Sequence, residues 1–455
     1  MLTLPRSPLA TNQPTNRYDP NWHIGIPAPF HLEGHVWGAH VYWSALAHYN
    51  ALHPSGGASG SGGGGRYAER PLLLGMADAS HPAAHRYPVW WTGDGKSLSY
   101  SVRSMVQLGV TLLKPYVHSD CGGNADRATG LVPVPEYVRW SQHCALGAIF
   151  RYHGRPGHQP WLYDNATGAI VRSFLGMRMA LMPTLLAAGA AATADGTPIA
   201  RRLDIAFPGA QHRANATRLD QYLLGDDLLV APFTSYSNGN GDDGGNGTQA
   251  REVWVPPGAW QDAWTGEVLT GPALVTSTQP LARLPMWHRR GGGLVVTAPT
   301  AARSVATQDW GVLGLELFPF GLAGEEGGRG TGARVLRRTL VREGEEDVAI
   351  IATQSAIGGR VTLAIEPAGV GAACAARRWR LRINLLPQQA VLAWSADGGA
   401  PRAPSRVLGP LPRANAASFV PFAGGAPPSA AGAVVELHLS PAPGRRLLEF
   451  EITHT

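Results

Sequence analysis

The sequence predicts an α/β segment of parallel βα units followed by an all-β segment, and three observations predict it. Between residues 70 and 190, short apolar runs alternate with longer helical patterns, as strands with crossover helices do. Beyond about residue 200 the helical pattern almost vanishes. Short apolar runs at 227–230, 252–255, 293–296 and 348–352 then stand between Gly, Pro, Asp and Asn, a pattern that predicts two β-sandwich domains. The length of 455 residues fits about three domains, and 44% hydrophobic residues supply cores for them.

Taken in order, residues 1–34 read as an irregular N-terminal arm, because Pro5, Pro8, Pro14, Pro20, Pro27 and Pro29 break any periodicity. Residues 40–53 form the first helical pattern, with Tyr42, Leu46 and Tyr49 on one face. A Gly/Ser-rich insertion at 55–65 cannot pack a core and reads as flexible. The spacing then predicts strands at 71–74 and 87–91, a helix over 98–108, and a strand region at 110–113 and 116–117. It continues with a helix over 134–144, an extended run at 148–153 and one long helix over 166–187. These elements belong to a segment spanning 35–200. Polar residues gather where its strands end: Asp94, Asp120 and His153. In a parallel barrel those ends hold the active site. A proximal β domain follows over 201–304, interrupted by a low-complexity loop at 237–246. A distal one covers 305–455, with alternating strands in 334–365 and 377–385 and loops at 397–433.

Composition excludes several classes. The 38 Lys+Arg and 32 Asp+Glu leave a net charge of +6, and the arginines are scattered, with no basic block interleaved with aromatics. No nucleic-acid partner is expected. No run of about 18 apolar residues predicts a membrane span, and the first residues show no apolar signal core. Sequons at Asn165, Asn215 and Asn246 hint at a secretory pathway, and the compartment stays unassigned. Three cysteines (Cys121, Cys144, Cys374) make no disulfide framework, and without C-x-x-C spacing no structural zinc site is expected. No metal cluster, phosphate loop or dinucleotide fingerprint appears, so no metal and no cofactor are expected.

Single residues carry chemistry only in combination. Asp94 follows Trp90-Trp91-Thr92-Gly93, and apolar neighbours that raise a carboxyl pKa suit a general acid. The same Gly-Asp-Gly is also ordinary turn chemistry. Asp120, in Ser119-Asp120-Cys121-Gly122-Gly123, offers a bidentate acceptor for sugar hydroxyls or an Asx turn. Arg151 and His153 fall on one side of an extended run and present two donors, a pattern that is uninformative alone. Trp161 offers an aromatic face for a sugar ring or a buried core side chain.

The order of these blocks resembles glycoside hydrolase family 31, the α-glucosidase and α-xylosidase family. The resemblance rests first on Arg70-Pro71-Leu-Leu-Leu and on His85-Arg86-Tyr87-Pro88-Val89-Trp90-Trp91-Thr92-Gly93-Asp94. It continues through Ser119-Asp120-Cys121-Gly122-Gly123, Val138-Arg139-Trp140, Phe150-Arg151-Tyr152-His153 and Gln159-Pro160-Trp161. The helix motif RMALMPTLL from Arg178 looks like the family's R-x-R-L-x-P-Y-L. QYLLGDDLLVAP from Gln221 and the Trp254 to Gly266 segment resemble further family blocks. The resemblance covers about 35–300 well and 305–455 loosely.

It implies a retaining α-glycosidase, which uses two carboxylates roughly 5 Å apart. Asp94 matches the acid/base position. Asp120, Arg151 and His153 match residues that hold the sugar, and Trp91 matches a wall of that pocket. The nucleophile is not found. It belongs to a strand before the 40–53 helix, in a run like W-x-D-M-N-E. Asp19, the nearest upstream Asp, sits among Pro and polar residues that a buried strand does not accommodate. Asp78 also stands where the family carries an Arg. The expectation is therefore the C-terminal half of a (β/α)8 TIM barrel followed by two β-sandwich domains, needing the N-terminal half of such an enzyme. Its ligand is an α-linked oligosaccharide or glycoside, with an α-glucoside favoured. His118-Ser119-Asp120 resembles the sulfoquinovoside-cleaving branch, whereas the 85–89 run resembles a bacterial-type α-glucosidase branch. The alternatives are a noncatalytic carbohydrate-binding relative or degenerate paralogue, and an unrelated β protein with a helical arm, against which the ordered blocks argue.

Overall fold

The computed structural model describes residues 89–319 with internal breaks, and beyond them the strands out to His454. Upstream it describes Ser44, which is helical, and the strand β1 (Leu74–Gly75). The N-terminal arm, the insertion at 55–65, the loop at 237–246, most of 397–433, Asp19 and Asp78 lie outside the described residues, as does nearly all of the 40–53 helix. The chain divides into two compact units, 1–88 and 89–455.

The second unit begins with βα units. Strand β2 (Val89–Trp91) leads to helix α1 (Leu98–Thr111) and strand β3 (Tyr116–His118), which pairs with β2 in parallel. Thr92 N–H donates to His118 O at 3.0 Å and extends the ladder past β2. Helix α2 (Val134–Ala145) follows, and the chain returns to place Tyr152 parallel to Cys121 in an isolated bridge. Of the strand expected at 110–113, Val110 and Thr111 are instead the last residues of α1, and 112–113 lie outside the described residues. The Leu98, Val102, Cys121, Trp140 and Cys144 side chains form the core between these elements, with Phe150 and Tyr152 packed against it.

One long helix was expected over 166–187; the structure has two. Helix α3 (Asn165–Ala180) and helix α4 (Met182–Asp195) meet at Leu181 with a bend of 53°. Pro183 is the cause. It has no N–H to give, and its ring excludes the preceding turn, so it sits in the first turn of a new helix. Asp164 caps α3 by accepting from Thr167 N–H at 2.8 Å, and Gly196 closes α4 at φ 80°. No single helix among the described residues is long and apolar enough to cross a membrane.

Beyond residue 200 the described structure is sheet, apart from short helical turns such as Leu203–Ala206. A six-stranded sheet has the order β4 (Ala200–Arg201), β5 (Tyr222–Leu224), β6 (Leu228–Val230), β9 (Met286–Arg289), β7 (Thr248–Asp262), β8 (Val268–Pro280). Its core holds Leu223, Leu229, Val253, Trp254, Trp260 and Trp287. Sheet membership changes between Arg289 and Gly293, upstream of the expected limit at 304. Strand β10 (Gly293–Thr297) pairs antiparallel with β11 (Val312–Phe318). These two open a five-stranded sheet that continues through β15 (Arg378–Asn384), β18 (Val434–Leu439) and β17 (Val407–Leu408). A second five-stranded sheet has the order β12 (Arg334–Arg342), β13 (Glu345–Gln354), β14 (Arg360–Pro367), β19 (Arg446–His454), β16 (Gln389–Ala396).

The α/β part is clamped to the six-stranded sheet through α2. Arg139 is buried and donates to Gln249 Oε1 at 3.2 Å, Gln142 Oε1 at 2.9 Å and Arg283 O at 2.5 Å. Its guanidinium also lies 3.9 Å from the centre of the Phe233 ring. Burial lowers its pKa to about 9.

Candidate active site

The ends of the parallel strands converge on Asp120. This residue is two beyond β3 and fully buried. A buried carboxylate must be paired. Its Oδ1 accepts from the Trp91 indole N–H at 3.0 Å and from Arg151 Nη2 at 2.5 Å. Oδ2 is buried too and meets no donor among the described residues. Arg151 keeps 48% of its side chain exposed.

The alternation of the extended run explains why Arg151 and His153 act together. Tyr152 points the other way, stacking 5.1 Å from Tyr137 and bonding to Ser141 at 2.7 Å. Cys121 lies between the two site segments: its N–H donates to Arg151 O at 3.2 Å, and its carbonyl accepts from His153 N–H at 3.1 Å. The side chains of Asp94, Asp120 and His153 come together as a result, each offering one atom within 4.8 Å of the others. Asp94 itself is exposed rather than enclosed by the two tryptophans: Trp90 is buried, and Trp91 reaches Asp120. Two carboxylates and an imidazole at this spacing are also ligands a divalent cation accepts. The guanidinium already held on Asp120 Oδ1 opposes a second cation there.

Other parts were not visible in the residue pattern. His158 is buried, bonds Gly123 O at 2.8 Å and places its ring 6.0 Å from that of His153. Gly122 has φ +86°, and a Cβ there would meet His158 Cδ2 at 2.3 Å. The Gly pair after Asp120 thus lets the chain turn beneath that imidazole. His118 is buried, and burial lowers its pKa, partly offset by the bond of Nδ1 to Ser119 O at 3.0 Å. Trp161 is neither buried nor among the converging groups: it is 79% exposed on a short 3-10 turn, Pro160–Leu162.

The cysteines need a correction. The expectation was that three cysteines make no disulfide framework, yet Cys121 and Cys144 form one bridge, with Cα atoms 6.2 Å apart at a sequence separation of 23. The βα geometry supplies the pairing. Cys121 follows a strand end, Cys144 ends the helix packed against it, and both join one core.

An acid, a buried carboxylate, an arginine and an imidazole thus meet beyond the strand ends. Residues 32–188 match the TIM-barrel domain of family 31 glycosyl hydrolases, and residues 196–294 match that family's C-terminal domain. The chain belongs to glycoside hydrolase family 31. It is 29% identical over 235 residues to alpha-glucosidase 2 of Bacillus thermoamyloliquefaciens, covering 50% of this chain and 27% of that one. It is 32% identical over 240 residues to human neutral alpha-glucosidase AB, covering 50% and 23%. The chain thus spans about a quarter of these relatives. A dextranase of Flavobacterium johnsoniae shares the fold at a TM-score of 0.65 and 16% identity, over 92% of this chain and 49% of that one.

Proposed function

We propose that this pocket holds the terminal sugar of an α-linked glycoside and that the protein serves hydrolysis of terminal α-glycosidic bonds, an α-glucoside first. The observation that carries this is the meeting of Asp94, Asp120 and His153 within 4.8 Å, with Arg151 and Trp91 on Asp120. Asp94, exposed at the mouth, protonates the glycosidic oxygen as the bond to the anomeric carbon breaks, and later takes a proton from the incoming water. Asp120 Oδ2, which meets no donor among the described residues, accepts a sugar hydroxyl. Arg151 and His153 donate to others, and Trp91 fixes the Asp120 carboxylate and walls the pocket. Curated α-glucosidase relatives and a dextranase neighbour determined with isomaltotriose support this choice of ligand.

The same reading makes the segment over 35–200 about half of a (β/α)8 barrel, followed by a proximal and a distal β domain. The parallel pairing of β2 with β3 and the Cys121–Tyr152 bridge support the first part. The two five-stranded sheets support a distal sandwich.

A retaining reaction needs a second carboxylate as nucleophile. Asp120, the other carboxylate of the trio, is held by Arg151 and Trp91 and serves binding. This favours a second reading for the chain alone, that of a carbohydrate-binding protein. Both are tested with 4-nitrophenyl α-glucoside and purified protein. General acid catalysis by Asp94 contributes only about 10²–10⁴-fold, against the ~10⁶-fold or more of enzymes. The chain alone should therefore show binding with negligible turnover. Turnover at enzymatic rates that Asp94→Asn abolishes would mean that this chain also carries the nucleophile.

A further inference from the structure

The residue that clamps the two site segments is itself covalently tethered. Cys121 directly follows Asp120, and its backbone holds the Arg151 carbonyl on one side and the His153 N–H on the other. Its side chain is bonded to Cys144 at the end of α2. Asp120, Arg151 and His153 therefore all depend on where one residue sits, and the disulfide fixes that residue to a helix. Cys121 and Cys144 are buried at 0% and 3% exposure. Cys144 also lines a small cavity with His118, Ser119, His143 and Gly147.

From this arrangement we propose that the Cys121–Cys144 disulfide is a redox-sensitive positioning element of the sugar pocket. This rests on the α-glycoside reading of that pocket. A dithiol reductant opens the bond by attack of its thiolate on one sulfur, giving a mixed disulfide. Its second thiol then displaces the protein sulfur and closes a cyclic disulfide. Two electrons and two protons pass to the protein, leaving two cysteine thiols and the oxidised reductant. The core around Leu98, Val102 and Trp140 remains, so the fold persists while the Asp120–Cys121 segment gains freedom.

The experiment compares the oxidised protein, the dithiothreitol-reduced protein and the Cys144→Ala variant. A Leu229→Ala variant in the six-stranded sheet serves as a control for destabilisation. Two readouts are taken well below the melting transition: affinity for methyl α-glucoside, and hydrogen exchange of the Cys121 and His153 amides. Reduction and Cys144→Ala should each weaken the sugar at least fivefold and speed exchange at both amides. Leu229→Ala should lower the melting temperature with affinity and exchange unchanged. If reduction lowers only the melting temperature, the bridge is merely structural and the proposal fails. The proposal also fails if thiol titration of the denatured, unreduced protein finds three thiols. If the oxidised protein binds no sugar yet both amides loosen on reduction, the α-glycoside reading fails and the positioning role stands.

Discussion

Asp120 depends on each neighbour in a measurable way. Trp91→Phe keeps the ring but removes the indole donor to Oδ1. A hydrogen bond to a charged group contributes about 1.5–3 kcal/mol, so sugar affinity should fall roughly tenfold or more in a titration. A second residue reports on pH. Burial holds the His143 pKa at about 4, against 6.5 for the ordinary group. Below pH 6.5 the unfolded chain takes up a proton that the folded chain refuses until about pH 4. Stability contributed by the neutral imidazole is therefore complete above pH 6.5. It is lost as pH falls toward 4, by on the order of 3 kcal/mol. His143→Leu should flatten this part of the melting-temperature profile; an unchanged slope would assign the acid sensitivity elsewhere. That Asp94, Asp120 and His153 meet was legible because each ends an apolar run. The partnership of Trp91 with Asp120 was not, since 29 residues separate them and the pairing is a product of strand register.

Among the elements, the α2–α3 pair shows how a helix motif reaches the site. Arg178 near the end of α3 donates to Gly147 O at 2.5 Å, Ala148 O at 2.8 Å and Ala145 O at 3.2 Å. These carbonyls lie at and just past the end of α2, where no intrahelical donors remain. They also begin the run that carries Arg151 and His153. Arg178→Leu should cost about 2–4 kcal/mol, since several buried carbonyls lose partners at once. Calorimetric melting checks this, and a loss under 1 kcal/mol would mean that water replaces the guanidinium. The sequence showed this helix pair as one because Ala, Leu and Met continue through it. The break came from Pro183 alone, whose meaning depends on its place within the turn. The disulfide was illegible for a similar reason: cysteines 23 residues apart meet only once a strand and its following helix are packed.

For the whole molecule, the βα part and the six-stranded sheet are joined by Arg139, whose guanidinium spans α2, Gln249 and the 280–283 turn. Arg139→Gln should lower stability by several kcal/mol and, by uncoupling the two parts, split one melting transition into two; a single unshifted transition would contradict the clamp. The order of α/β before all-β was readable from periodicity over hundreds of residues, because each period reflects one buried face. Which strand lies beside which was not, since sheet order such as β6 next to β9 depends on contacts distant in sequence. The proposed role of the site as a sugar pocket is best checked by calorimetric titration of methyl α-glucoside into the native protein and into Asp120→Asn. The variant keeps an oxygen that can accept from Arg151 and Trp91 and removes the carboxylate charge. One-to-one saturable binding is expected in the native protein, weakened at least about 30-fold in Asp120→Asn at an unchanged melting temperature. A folded native protein with no saturable heat, or an Asp120→Asn variant binding equally well, would contradict it.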